Sequence, residues 1–346
     1  MPLRVMQVMA GAPVGGIETF FFDAVCALSD AGVAEHVVVR PNVPSQLERL
    51  KARGVPYTTT GFNAWLSRYS RGVLRRTAAA CRPDIIQYWT GRAGMAGIRS
   101  NARQVAWYGG YRNRRHFKTC SHFIAITPEI VERMRGQGIV ADRIALIPIF
   151  AEFSPHKPLD RANFATPSDV PLLLALARLH WKKGLDVLLD ALAKVPRAHL
   201  WIAGEGEDRA KLQAQVQRLG LDGRVRFLGW RTDREALLAT ADICVFPSRF
   251  EPFGAVMLEA WAAGCPLIAA ASQGPGTYVE NEKNGLLVPV DDSAALAAAI
   301  ARAIAEPDLR ARVVEGGRGT FERGFTKEVY VRDMLAFYDR VLKDGA

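Results

Sequence analysis

Pro171-Leu172-Leu173-Leu174-Ala175-Leu176-Ala177-Arg178-Leu179-His180-Trp181-Lys182-Lys183-Gly184-Leu185 decides the reading of this 346-residue chain. Leu172 to Leu176 is a continuous apolar run of strand length without polar alternation, which marks a strand buried on both faces of a parallel sheet. A short basic loop follows, and then a helix over 184–194. The alternation continues outward toward the C-terminus, with strands at 199–203, 225–228, 242–246 and 266–269 and helices at 208–219, 233–239 and 254–264. Toward the N-terminus, Pro155, Pro158, Pro167 and Pro171 punctuate a passage without periodicity from Phe150 to Val170, read as a linker.

Before that passage the same alternation is found. Arg4 to Met9 reads as a strand, and Ile17, Phe20, Phe21, Ala24, Val25 and Leu28 fall at helical spacing. Further strands are expected at 36–39, 84–88, 104–107, 123–126 and 144–147, with helix-length segments around 63–81, 93–102 and 127–137. The expected class is α/β, with two doubly wound domains over 1–155 and 171–325, a linker at 156–170, and a cleft between them at the carboxyl ends of the strands. A last helix at about 327–343 keeps Val329, Met334, Phe337, Tyr338 and Val341 for burial, and the segment 326–346 is expected to pack back toward the first domain.

With 49% apolar and 23% charged residues, the chain is neither disordered nor fibrous. No stretch approaches the roughly 20 apolar residues of a membrane-spanning helix, and Met1 to Ala10 lacks the basic region of a signal peptide, so a soluble, cytoplasmic protein is expected. The five cysteines, Cys26, Cys81, Cys120, Cys244 and Cys265, are scattered without a C-x-x-C pair. Neither a disulfide framework nor a metal site is expected.

The net charge of +10 lies entirely in the first half: residues 1–155 carry 20 Lys and Arg against 10 Asp and Glu, and residues 156–346 carry 25 of each. Nucleic acid, an anionic bilayer, a phosphorylated substrate or a merely solvated face all fit that excess. Between Arg40 and Lys118 there are 16 basic residues and two acids. Arg68, Arg71, Arg75 and Arg76 lie there beside Trp65, Leu66, Tyr69 and Val73 at helical spacing. Such a helix can rest on an anionic leaflet, and an ordinary sheet-covering helix with a solvated back fits the same residues. Arg112, Arg114, Arg115 and Lys118 can instead hold a phosphorylated acceptor.

The strongest local feature is Phe250-Glu251-Pro252-Phe253-Gly254-Ala255-Val256-Met257-Leu258-Glu259, which follows the strand ending at Phe246. Pro252 disfavours helical geometry at Glu251, and Gly254 permits close backbone approach at a helix start whose amides suit an anion. Glu259 lies further along the same helix, within reach of the hydroxyls of a ligand whose phosphates sit at the helix end. Two glutamates near a helix start also fit plain dipole compensation. Arg178 and Lys183, after the first strand of the second domain, can clamp a diphosphate, the arginine through a fork of donors and the lysine as a point charge. Gly204-Glu205-Gly206 and Gly229-Trp230 close the next two strands on the same rim. In the first domain, Gly11-Ala12-Pro13-Val14-Gly15-Gly16-Ile17-Glu18 is a glycine-rich turn that matches neither G-x-G-x-x-G nor a P-loop, and an ordinary tight turn fits it equally.

On Gly15-Gly16-Ile17-Glu18, Arg178 with Lys183-Gly184, Gly204-Glu205-Gly206, the paired glutamates Glu251 and Glu259, and Asn284-Gly285-Leu286-Leu287-Val288, the chain resembles the family 4 retaining glycosyltransferases of the GT-B fold, bacterial enzymes of lipopolysaccharide and related glycan assembly among them. The resemblance spans nearly the whole chain and implies two Rossmann-like domains. It implies that a nucleotide diphosphate sugar, most often a uridine nucleotide in the family, is the donor, with no further cofactor. Arg178 and Lys183 would bind the diphosphate, Glu259 the ribose hydroxyls and Glu251 the transferred sugar. The backbone near Phe253 and Gly254 would meet phosphates or sugar, and Trp230 would lie by the base. Gly15, Gly16, Gly204 and Glu205 are expected to complete the donor side, and Tyr108, Gly109, Tyr111 and Arg112 are expected on the acceptor side.

Charge developing on the departing diphosphate would be stabilised by Arg178, Lys183 and the helix amides, with same-face attack and Glu251 in positioning and electrostatics. Many members carry a histidine in the loop that here reads Trp107-Tyr108-Gly109-Gly110-Tyr111, where none stands. Nearby His116 and His122 read as structural or exposed. The expected partners are the donor, an anionic glycan or lipid-linked acceptor and the inner face of an anionic membrane, and no nucleic acid. Three rivals remain on the same residues: a nucleotide-sugar epimerase or hydrolase, a nucleic-acid-binding protein, and a non-catalytic sugar-nucleotide-binding partner.

Overall fold

Two all-parallel sheets carry the chain in this computed structural model, which describes residues 2–13, 15–62 and 67–344. Met1–Ile149 with Lys327–Ala346 form one unit, and Phe150–Thr326 form the other. In the first unit the elements run β1 (Arg4–Val8), α1 (Gly16–Asp30), β2 (Ala34–Val39), α2 (Pro44–Ala52), β3 (Tyr57–Thr59), α3 (Ser67–Cys81), β4 (Ile85–Tyr88), α4 (Gly91–Met95), β5 (Arg103–Tyr108), β6 (His122–Ala125), α5 (Pro128–Gly136) and β7 (Ile144–Leu146). Among the described residues the strands pair in the order β3-β2-β1-β4-β5-β6-β7. Chain order therefore reverses at β1, and the crevice of such a sheet opens beyond the carboxyl ends of β1 and β4.

Aromatic side chains fill the helical layer against this sheet. Phe21 meets Trp89 edge-on at 5.2 Å, and Trp89 meets Trp107 at 4.8 Å. Each such burial contributes about 1.5–3 kcal/mol. A polar network runs beneath them: Trp89 Nε1 donates to Gln7 Oε1 at 2.7 Å, Gln7 Nε2 donates to Glu35 Oε1 at 2.8 Å, and Tyr338 donates to Gln87 Oε1 at 2.8 Å. Glu35 is fully enclosed, and burial pushes its carboxyl well above the usual range, with the Gln7 hydrogen bond opposing. The rise reflects the cost of stripping water from the ionised form.

In the second unit the order is β8 (Leu172–Leu176), α6 (Leu185–Leu192), β9 (His199–Ala203), α7 (Arg209–Arg218), β10 (Val225–Gly229), α8 (Arg234–Thr240), β11 (Ile243–Phe246), α9 (Ala255–Ala263), β12 (Leu267–Ala270), α10 (Gln273–Tyr278), β13 (Leu286–Val288), α11 (Ser293–Ala305) and α12 (Pro307–Gly324). The chain then enters α13 (Lys327–Lys343), which packs with the first unit through Tyr338 and the edge-on contact of Tyr330 with Phe20 at 5.4 Å. The second sheet is ordered β10-β9-β8-β11-β12-β13. All five residues of β8 are buried, as a central strand covered on both faces requires.

Two local expectations differ from what is found. Residues 156–170, read as a linker, are built into the second unit. Arg161 donates to Thr240 O at 2.7 Å and to Asp242 Oδ1 at 3.0 Å, and Trp201 Nε1 donates to Thr166 Oγ1 at 2.9 Å. The helix expected at 93–102 ends at Met95, where the chain turns and Gln104 Nε2 binds Ile98 O at 2.7 Å. Among the described residues no helix is long and apolar enough to cross a membrane.

Candidate functional site

In the second unit the switch in strand order falls between β8 and β11, so the loops leaving these two strands lie side by side. They are tied together. Arg249 N–H and Phe250 N–H donate to Lys182 O at 2.8 and 3.2 Å. The Arg249 guanidinium grips both oxygens of Asp186 at 2.7 Å and the carbonyl of Trp181 at 2.6 Å. Burial works against the Asp186 carboxylate, yet the hydrogen bonds and charge of Arg249 outweigh it and hold the group below its usual value. The basic loop and the glutamate loop thus form one rigid rim.

On that rim Lys183 contacts the carboxylate of Glu251, and both side chains are largely covered. The Glu251 backbone is clamped as well, its N–H donating to Gln273 Oε1 at 3.0 Å and its carbonyl accepting from Gly274 N–H at 2.9 Å. Gly254 follows with φ 102, in the left-handed region, and α9 begins there without a side-chain cap. Met257 N–H donates to Gly254 O at 3.0 Å, and among the described residues the Ala255 and Val256 amides of the same turn remain for another acceptor. Phe253 is buried against Tyr278 and Phe325, at ring distances of 5.3 and 6.1 Å.

Glu259, on α9, pairs through Oε1 with Arg234 at the start of α8, while its Oε2 is enclosed with no partner. Burial raises its carboxyl and the charge of Arg234 pulls it back, with a net rise. An enclosed carboxylate oxygen with free lone pairs is an acceptor awaiting a donor. Arg178 stands at the open side, binding Glu207 at 3.0 and 3.3 Å, with His180 Nε2 at 3.5 Å from the same carboxylate.

The β9 loop packs directly on the β8 loop at Gly204. Its φ is 149, and a Cβ there would stand 1.9 Å from Ala177 O. Leu179 N–H donates to Glu205 O at 3.0 Å, and the Glu205 side chain turns to Arg209 Nη1 at 2.5 Å. Trp230, beyond β10, is 67% exposed.

The second unit therefore gathers Arg178, Lys183, Gly204, Glu205, Glu251, Phe253, Gly254 and Glu259 at the carboxyl ends of its strands. Arg234, Glu207, Gln273 and Arg249 were not singled out in the sequence. Only the second acid of Glu205-Gly206-Glu207 carried a visible signal, a charge beside a glycine loop at a strand end.

In the first unit Gly15 and Gly16 begin α1 after β1, and the Glu18 carboxylate folds back to accept from Ala12 N–H at 2.8 Å. The loop after β5 divides. Tyr108 is 1% exposed, its ring packed 5.1 Å from Phe117 and 6.0 Å from Phe123. That side chain belongs to the core, which corrects the expectation of an acceptor contact through it. Gly109 is buried too, whereas Tyr111 and Arg112 are partly open, Arg133 lying 5.1 Å over the Tyr111 ring. His116 is partly exposed, and His122 is enclosed, 2.7 Å from Arg143 Nη1. On α3, Arg68, Tyr69, Arg71, Arg75 and Arg76 face outward, and Val73 turns to the sheet instead. Trp65 and Leu66, expected on the same helix, lie outside the described residues.

Residues 156–320 match the family model described as glycosyl transferases group 1, and residues 14–151 the model described as glycosyltransferase family 4. Over 319 residues the chain is 32% identical to the lipopolysaccharide core biosynthesis glycosyltransferase LpsE of Rhizobium meliloti (strain 1021), covering 91% of this chain and 93% of that one. It is 31% identical to LpsD of the same strain, described in the same words, over 341 residues and 98% of both chains. Among solved structures, a glycosyltransferase from Rickettsia africae ESF-5 superposes with a TM-score of 0.88 at 19% identity, over 99% of this chain and 100% of that one. Anabaena HepE, solved with UDP and glucose, superposes at 0.83 and 21% identity, over 97% and 99%. At these identities the two structures establish the fold: two Rossmann-like units of GT-B type.

Proposed function

The chain belongs to the family 4 glycosyltransferases, and from that premise we propose that it transfers a hexose, with retention of configuration, from a nucleotide diphosphate sugar to a glycan or lipid-linked acceptor. The first donor to test is a UDP-sugar, because the fold neighbour HepE was solved with UDP and glucose. The two full-length relatives, named for lipopolysaccharide core biosynthesis, support a place in cell-envelope polysaccharide synthesis.

The observation that carries the reading is the rim of the second sheet, where Lys183 meets Glu251 and Glu259 keeps an enclosed, unpartnered oxygen. Arg178 and Lys183 would take the diphosphate, together with the uncapped amides of α9. Glu259 Oε2 would accept from the ribose hydroxyls, and the exposed Trp230 would flank the base. Breaking the sugar–phosphate bond leaves charge on the departing diphosphate. The two cations, once turned from their carboxylate partners, and the amides would meet that charge, so the reading requires no metal. Glu251 would position the sugar beside Lys183. Tyr111 and Arg112 would serve the acceptor, and the outward arginines of α3 would rest on an anionic leaflet at the cytoplasmic membrane face.

A thermal-shift panel of UDP, GDP, ADP and their sugar conjugates, with and without EDTA, tests the reading, since a ligand of the native state raises its stability by mass action. The expected result is a metal-independent shift by one nucleotide that is lost in Arg178→Ala. No shift from any of them at millimolar concentration would overturn it.

A further inference from the structure

The first unit gathers cations that it does not neutralise. Arg40 follows β2, and its Nη1 reaches to 3.5 Å from Gly11 O, at the end of β1. Arg92, on the first turn of α4, follows β4, which flanks β1 on the side opposite β2, so Arg40 and Arg92 leave the same end of the sheet on either side of β1; burial, with the charge of Arg92, lowers the proton affinity of Arg40. Arg92 adjoins Gly91, and His116 Nδ1 stands 2.8 Å from the point where a side chain on Gly91 would begin. His116 is in turn held down by burial and by the charges of Arg115 and Arg112. The loops after β1, β2, β4 and β5 thus surround one spot.

Several other arginines of the same unit have counter-charges: Arg4 has Asp84 at 2.8 Å, Arg49 has Asp23 at 2.6 Å, and Arg143 has Asp344 at 3.3 Å. Among the described residues none of Arg40, Arg92 and Arg112 forms an ion pair, and the Nε atoms of Arg40 and Arg112 are enclosed without a hydrogen-bond partner. Like charges held close together cost free energy unless an anion supplies the missing charge, and forked guanidiniums match the oxygens of a phosphoryl group.

We propose that Arg40, Arg92 and Arg112, with His116 beside them, form a binding site for a phosphoryl group carried by the sugar acceptor, which makes the acceptor a phosphorylated glycan. Only the word acceptor rests on the transferase reading. The anion site stands on the residues of this unit alone.

The test uses the full chain carrying Arg178→Ala and Lys183→Ala, which disables the proposed donor clamp in the other unit. Calorimetric titration with glucose 6-phosphate should then show millimolar binding that glucose does not. Arg40→Gln, Arg92→Gln and Arg112→Gln should each weaken it about tenfold or more, the worth of one hydrogen bond to a charged group. Circular dichroism controls for folding. If the half-buried Arg40 variant does not fold, the exposed Arg92 variant carries the test.

Absence of binding, or binding indifferent to Arg92→Gln and Arg112→Gln, overturns the site. Vesicles of phosphatidylcholine with and without phosphatidylglycerol examine the other source of phosphate. Retention on the anionic vesicles that these variants lose, without glucose 6-phosphate binding, assigns the cluster to a lipid headgroup and overturns the acceptor proposal. Because the donor clamp is removed beforehand, failure here leaves the nucleotide-sugar reading standing, and a failed nucleotide panel leaves this site standing.

Discussion

Replacing Glu259 by Gln separates the nucleoside half of the donor from its diphosphate half. The carboxylate is 12% exposed, with Oε1 on Arg234 and Oε2 unpartnered. Two ribose hydroxyls can both donate to a carboxylate, whereas the carboxamide presents an acceptor and a donor. One hydrogen bond to a charged group is worth about 1.5–3 kcal/mol, so UDP should bind roughly ten- to a hundredfold more weakly. Calorimetry with UDP and with pyrophosphate reads the two halves apart. Glu259→Gln should weaken UDP and spare pyrophosphate, and Arg178→Ala should weaken both.

Stability supplies the control for this variant. Burial raises the Glu259 carboxyl above its usual 4.5 in the folded chain, and Arg234 offsets only part of this. The folded state therefore holds the proton more tightly than the unfolded one. The cost of ionising Glu259 is absent below the unfolded value and grows as pH rises through the folded one. An amide has no such cost, so ligand-free Glu259→Gln should melt at or above the wild-type temperature at neutral pH. Unchanged UDP affinity in this stable variant, or an equal loss of pyrophosphate, would refute the ribose assignment.

Arg178→Ala and Lys183→Ala should each lower turnover about a hundredfold or more, the usual worth of a donor aimed at developing charge; near-normal donor hydrolysis in both would sink the diphosphate clamp. Glu35→Gln should stabilise the chain increasingly as pH rises, because the wild-type carboxyl is raised by burial and its folding advantage is lost through the folded value. Urea unfolding from about pH 5 to 9 should show that widening difference, and parallel curves would mean that Glu35 is already ionised in the fold. Gly204→Ala forces a methyl to within 1.9 Å of Ala177 O at a positive φ, so the β9 loop must move. Loss of nucleotide affinity with far-UV circular dichroism intact is the expected outcome, and wild-type affinity would show that the loop contact is dispensable.

The strands were legible because burial on both faces leaves a continuous apolar run, as in Leu172 to Leu176, all enclosed. The passage at 156–170 misled for the same reason in reverse. Absence of periodicity signals irregular backbone and says nothing about what that backbone packs on. Phe164 lies 4.7 Å from the Trp201 ring, and Asp160 caps a short turn, so single anchors hold the passage to the second unit. β3 escaped notice because its three residues, Tyr57 to Thr59, form the edge of the sheet and are too short to show a period.

Glu251 and Glu259 were legible because one unbroken stretch carries both, Glu251 in the turn before α9 and Glu259 on the helix itself. Their counter-charges were not, since the sheet order decides that α8, ahead of β11, brings Arg234 to Glu259. The resulting pairs differ in what a donor must undo. Arg178 and Glu207 are 66% and 51% exposed, so water screens the pair, parting them costs little, and the arginine can turn to phosphate. Arg234 instead compensates a carboxylate with almost no access to water, and breaking that contact would leave an enclosed, uncompensated charge. On this reasoning the phosphate end of the site exchanges partners when the donor arrives, while the ribose end stays fixed and offers the one oxygen that Arg234 leaves free.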